Sequence, residues 1–125
     1  MDKKRVLVVE DDQFLRDLYV ELLTAEGLSV ESAQDGEEAL LKLEEGGYDL
    51  VLLDIMLPKK DGVAILSQLK SKPPKMANRK IIFLTNMAQE SVLKRGQELG
   101  VEGYLVKSSL TPEQFINAVK KYLGL

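Results

Sequence analysis

The chain has neither cysteine nor histidine among its 125 residues. Without cysteine there is no disulfide framework and no thiolate metal site. Without histidine, the usual general base and the commonest transition-metal ligand are both missing. Any metal bound by side chains must therefore sit on oxygen, and oxygen ligands favour Mg²⁺, Ca²⁺ or Mn²⁺. No apolar run is long enough to span a bilayer, and the start, Met1-Asp2-Lys3-Lys4-Arg5, leads into a strand pattern rather than a signal peptide. A cytoplasmic protein with no membrane segment is expected. A net charge of −3 exerts no general pull toward nucleic acid. Length and composition, 45% hydrophobic and 30% charged, fit one globular domain over residues 1–125 without an effector domain.

What is present is a regular alternation. Short apolar runs predict strands over 5–10, 29–33, 50–54, 80–85 and 103–106. Helical spacing predicts helices over 13–26, 36–45, 63–71, 89–99 and 112–123. Gly27, Gly46 and Gly100 follow helical runs, where a left-handed residue is wanted. Thr111-Pro112-Glu113-Gln114 resembles a capping box, and Asp35-Gly36-Glu37-Glu38 is a similar start signal. The basic segment 72–79 reads as a mobile surface loop. Five βα units imply an α/β fold, a mostly parallel sheet with helices on both faces. The third strand is apolar throughout and suits the centre; the second and fifth suit edges. In the doubly wound order 2-1-3-4-5, winding reverses between strands 1 and 3, and ligands bind at the strand ends beside that point. Glu10, Asp11 and Asp54 fall there, and strands 4 and 5 bring Thr85 and Lys107 to the same edge.

Taken singly, these residues have ordinary readings: a helix cap for Asp11 or Asp12, a β-branched strand residue for Thr85, a surface lysine for Lys107. Together they suit phosphoryl transfer. A carboxylate nucleophile must approach an anionic group, so cations are required. A divalent ion held by Asp11 and Asp54 can neutralise nucleophile and phosphate together. Lys107 can pair with one phosphate oxygen, and Thr85 can donate to another. No residue here resembles a base that activates water, which favours a site that accepts and holds a phosphoryl group.

The chain resembles a receiver domain of two-component response regulators, of the chemotaxis-regulator type, with its flavodoxin-like (βα)5 fold. The matching segments are Val6-Leu7-Val8-Val9-Glu10-Asp11-Asp12, Tyr48 through Pro58, Asp61-Gly62, Ile82-Phe83-Leu84-Thr85 and Gly103-Tyr104-Leu105-Val106-Lys107. The resemblance covers residues 4–122. It implies that Asp54 is the phosphoacceptor and that Mg²⁺, with Mn²⁺ as a substitute, is held by Asp11, Asp54, the backbone carbonyl of Met56 and, largely through water, Glu10. Asp12 is read mainly as a helix cap. Thr85 would be the switch hydroxyl, Tyr104 its aromatic partner, and Lys107 the bridge from Asp54 to the phosphate. The implied partners are a sensor histidine kinase or histidine phosphotransferase and a downstream protein target or effector domain, with no direct nucleic-acid binding. Output would pass through the face of helix 4, strand 5 and helix 5, which also allows a phosphorylation-dependent homodimer. Phe14, Leu15, Leu18, Tyr19, Leu22 and Leu23 give helix 1 more apolar surface than one core stripe needs, which suits docking of a kinase or phosphotransferase helix pair.

The chain departs from the family pattern at several positions. Ser108 follows Lys107 where the family usually has proline, which removes the usual basis for a cis bond there. Asn86 replaces a small residue, and Lys60 stands where an apolar residue is common. Met56 and Met87 occupy positions that modulate hydrolysis in the family; neither can position a water, so a long-lived phosphorylated state is expected. A haloacid-dehalogenase-type phosphatase would need an acid two residues after Asp54, where Met56 stands. A flavodoxin-like cofactor binder would need a small-residue phosphate loop in place of Glu10-Asp11-Asp12. A pseudo-receiver, acting as an interaction module without phosphorylation, is the alternative.

Overall fold

The computed structural model describes residues 3–86 and 89–125. Five strands, β1 (Arg5–Val9), β2 (Ser29–Ala33), β3 (Leu50–Asp54), β4 (Lys80–Thr85) and β5 (Gly103–Val106), form one parallel sheet in the order 2-1-3-4-5. Five helices alternate with them: α1 (Gln13–Ala25), α2 (Gly36–Glu45), α3 (Gly62–Ser71), α4 (Glu90–Glu98) and α5 (Pro112–Leu123). This is the expected flavodoxin-like doubly wound sheet. Element ends shift by one residue where caps decide them. Asp61 accepts a hydrogen bond from Ala64 N at 2.9 Å, so α3 starts at Gly62.

Strand alternation divides the core between the sheet's two faces. Val6, Val8, Leu50, Leu52, Ile82 and Leu84 pack beneath α1 and α5, where Tyr19 stacks on Phe115 at 4.5 Å. Leu7, Val9, Val51, Leu53 and Phe83 pack beneath α2, α3 and α4. Each fully buried Leu or Phe contributes roughly 1.5–3 kcal/mol. β3 is buried at every position, including its terminal carboxylate, because helices cover both of its faces. The Phe83 ring lies so close to α4 that it leaves no room for a Cβ at Gly96.

Capping follows the sequence signals. Asp12 accepts from Leu15 N, Asp35 from Glu38 N, and Thr111 with Gln114 completes a capping box. Gly27, Gly46 and Gly100 take φ values of 84°, 75° and 99°. Segment 72–79 departs from the mobile loop expected. Lys75 N donates to Glu44 O, Met76 N to Glu45 O and the Asn78 side chain to Leu43 O, while Gly46 N closes onto Lys42 O. All four terminal carbonyls of α2 are thereby satisfied, three of them by this segment. The need to pair those carbonyls fixes it in place.

Candidate functional site

The carboxyl ends of β1, β3, β4 and β5 open into a cleft of about 480 Å³ lined by Glu10, Asp11, Asp54, Thr85 and Lys107 among others. β1 and β3 are neighbours, and the winding reverses between them. All five residues expected at this edge are therefore brought together. Asp54 is 5% exposed, and Glu10 only 1%. Asp11 is exposed at the rim. Thr85 ends β4 and is buried in the cleft wall. Lys107 follows β5 directly and opens a short 3-10 turn, Lys107–Ser109. No cis peptide bond occurs among the described residues, so Lys107–Ser108 is trans.

Lys107 is the hub. Its Nζ lies 2.8 Å from Asp54 Oδ2 and 2.5 Å from Glu10 Oε1, with all three side chains nearly closed to solvent. Oδ1 of Asp54 accepts a hydrogen bond from Met56 N at 3.1 Å, and Oε2 of Glu10 accepts one from Asp12 N at 3.1 Å. Glu10 Oε1 has Lys107 as its close charge partner, so one ammonium serves a carboxylate oxygen of each buried acid. Burial pushes the Glu10 carboxyl up to about 6, although Lys107 opposes the shift. Burial acts to lower the Lys107 ammonium, but the carboxylates of Asp54 and Glu10 outweigh it and hold the pKa above its usual value.

The donor set fits a hard divalent cation. Glu10, Asp11 and Asp54 can each present a carboxylate oxygen within 4.8 Å of the others. An all-oxygen donor set suits Mg²⁺ or Mn²⁺ rather than a nitrogen- or sulfur-seeking metal. Two of the three acids pair with one buried ammonium and the third, Asp11, lies beside them, which leaves a local excess of negative charge.

Tyr104 lies elsewhere. It pairs in register with Phe83, is 44% exposed and lines a separate groove of about 780 Å³ between α4 and β5. Met56 projects outward, 78% exposed, and Asn86 is exposed at the cleft rim. Met87 lies outside the described residues. Along α1, Tyr19 and Leu23 are buried and Leu15, Leu18 and Leu22 half-buried, while Phe14 is 76% exposed. Only part of that helix's apolar excess is therefore core.

The sequence signature described as the response regulator receiver domain matches residues 6–120. The chain belongs to this receiver family. It is 40% identical over 117 residues to a gliding motility regulatory protein of Myxococcus xanthus, covering 94% of this chain and 15% of that protein. A CheY-like receiver domain protein from Methanospirillum hungatei superposes with a TM-score of 0.85 at 30% identity, covering 98% and 95% of the two chains. CheY of Borrelia burgdorferi, solved in a complex with CheX, BeF3 and Mg²⁺, superposes with a TM-score of 0.80 at 28% identity, covering 94% and 87%. The receiver spans less than half the length of several transcriptional regulators it matches, for example 49% and 42%. No helix among the described residues is long and apolar enough to cross a membrane.

Two features of this receiver site escaped the sequence reading. Lys107 bridges Glu10 as well as Asp54. Arg16 bonds the carbonyls of the acidic turn through its guanidinium. The signal for the second was an arginine four residues after the Asp12 cap, one helical turn away and long enough to fold back.

Proposed function

We propose that this receiver accepts a phosphoryl group on Asp54 from a sensor histidine kinase or a histidine phosphotransferase. The observation that carries the reading is the buried contact of Asp54 with Lys107 at the switch point, beside two further acids. An Asp54 oxygen attacks phosphorus in line. The O–P bond forms as the P–N bond to the donor's imidazole breaks, and the imidazole nitrogen keeps the electron pair. Lys107 already neutralises Asp54 and moves its ammonium onto an incoming phosphoryl oxygen. The Thr85 hydroxyl donates to another.

Glu10, Asp11, Asp54 and the Met56 backbone carbonyl would hold Mg²⁺, with Mn²⁺ as a substitute and Glu10 acting largely through water. When bound, the ion supplies the positive charge that lets an anionic group approach a carboxylate. The presence of Mg²⁺ in the Borrelia burgdorferi complex supports this assignment.

The new charge biases a two-state element. Thr85 turns toward the phosphoryl group, the exposed Tyr104 turns inward, and the face of α4, β5 and α5 changes for a downstream protein target, an effector domain or a second copy. The reading places the receiver in the cytoplasm, without direct nucleic-acid contact. Met56 offers no group to position an attacking water, so the acyl phosphate persists; a half-life as short as that of fast chemotaxis regulators would contradict this. Phe14, unpacked beside the half-buried Leu15, suits docking of the phosphodonor. Phe14→Ala should slow transfer from the kinase while the fold persists, and unchanged transfer would count against docking there.

The reading is tested by incubation with acetyl phosphate and Mg²⁺ followed by intact mass. A phosphate-sized increase that requires Mg²⁺ and is lost in Asp54→Asn supports it. No increase favours a phosphorylation-independent interaction module.

A further inference from the structure

Arg16 occupies an unfavourable place. It lies in the first turn of α1, where the helix dipole disfavours a cation. Its guanidinium does not pair with an acid among the described contacts; it turns back over the helix start. Nη1 donates to Glu10 O at 2.9 Å and to Asp11 O at 3.3 Å. Its own backbone N–H donates to Asp12 O at 2.9 Å. One residue thus binds three successive carbonyls of the turn that carries Glu10 and Asp11. The same turn is held from within by Asp12 N on Glu10 Oε2 and by the Asp12 cap on Leu15 N.

We infer that Arg16 is a positioning residue, which fixes the Glu10–Asp11 turn so that both carboxylates stay aimed at the cation site they share with Asp54. The inference rests on the proposed metal-dependent receiver chemistry. Two physical effects of the guanidinium have opposite signs. As a nearby positive charge it repels a divalent ion, so removing it would tighten binding. As a clasp on the turn it preorganises the ligands, so removing it weakens binding, as loss of a partner behind a metal ligand commonly does. The geometry favours the clasp: Nη1 donates to both turn carbonyls, and the guanidinium forms no ion pair with Glu10, Asp11 or Asp54 among the described contacts.

The test is Mg²⁺ titration of the full chain by calorimetry, without phosphodonor, alongside urea unfolding without metal. The wild type should bind Mg²⁺ and Asp11→Asn should lose binding; if the wild type does not bind, the metal-dependent reading itself fails. Arg16→Met should weaken the Mg²⁺ Kd by about tenfold or more. Arg16→Lys, which keeps the charge but reaches fewer carbonyls, should fall between the two. Should Arg16→Met fail to fold, Arg16→Lys alone decides. Wild-type or tighter affinity in a folded variant overturns the inference.

Discussion

Lys107 Nζ lies 2.8 Å from Asp54 Oδ2, reaching past the end of β4, which separates β3 from β5 in the sheet. The ammonium thus ties the outer part of the sheet to its centre. It also does so where three acids converge, and the site depends on that one charge when no other cation is near.

Lys107→Met should therefore destabilise the metal-free protein by about 3–5 kcal/mol, because removing one partner leaves buried acids without countercharge. Mg²⁺ should restore part of the loss by supplying that charge. Urea unfolding with and without Mg²⁺ measures both effects. A loss that Mg²⁺ does not reduce would contradict the shared-charge account.

At the other end of the sheet, Tyr48 donates to Glu31 Oε1 at 3.1 Å beneath the guanidinium of Arg5. Burial, and then the Glu31 charge, push the Tyr48 hydroxyl from 10.0 up to about 12. The folded state thus holds this proton more tightly than the unfolded chain. The associated stability is complete below pH 10 and is lost as pH rises through about 12. The effect is on the order of 2 kcal/mol. Urea midpoints for wild type and Tyr48→Phe should converge across this window. A constant difference would contradict the shift.

Lys59 has φ 68°, the one non-glycine residue described with positive φ. Its ammonium is 3.5 Å from Asp35 and 3.8 Å from Glu37, but the lysine is largely exposed and such pairs contribute little. Backbone preference should decide substitutions here. Lys59→Asn should be near neutral, and Lys59→Val should destabilise by about 1–2 kcal/mol. Thermal unfolding checks both; equal effects would show that the ion pairs dominate.

The strap over α2 gives a further expectation. Asn78 Nδ2 donates to Leu43 O and Oδ1 accepts from Tyr48 N. Asn78→Ala should destabilise by about 1–3 kcal/mol, since a part-buried carbonyl and an N–H each lose a partner. Hydrogen exchange at Tyr48 N and at residues 75–79 should speed up in the same variant. Unchanged protection would mean that the segment is held by its backbone alone.

The legibility of the chain followed the range of the forces involved. Caps and glycine stops depend on neighbours within a few residues, so Asp12, Asp35 and Thr111 could be identified in advance. The site was legible because a parallel sheet sends every strand's carboxyl end to one edge, which brings Glu10, Asp54, Thr85 and Lys107 together. The order of segment 72–79 was not legible, because what holds it is the set of unpaired carbonyls of a helix some 30 residues away in sequence. That Glu10 shares Lys107 with Asp54 was also hidden, since it depends on side-chain reach across the sheet.

The central claim is that Asp54 carries the phosphoryl group. After phosphorylation with acetyl phosphate and Mg²⁺, borohydride reduction converts an aspartyl phosphate into homoserine, and peptide sequencing by mass spectrometry locates it. The account predicts homoserine at position 54, absent without Mg²⁺. Homoserine at Asp11 or another acid, or none in protein that carries phosphate, would contradict it.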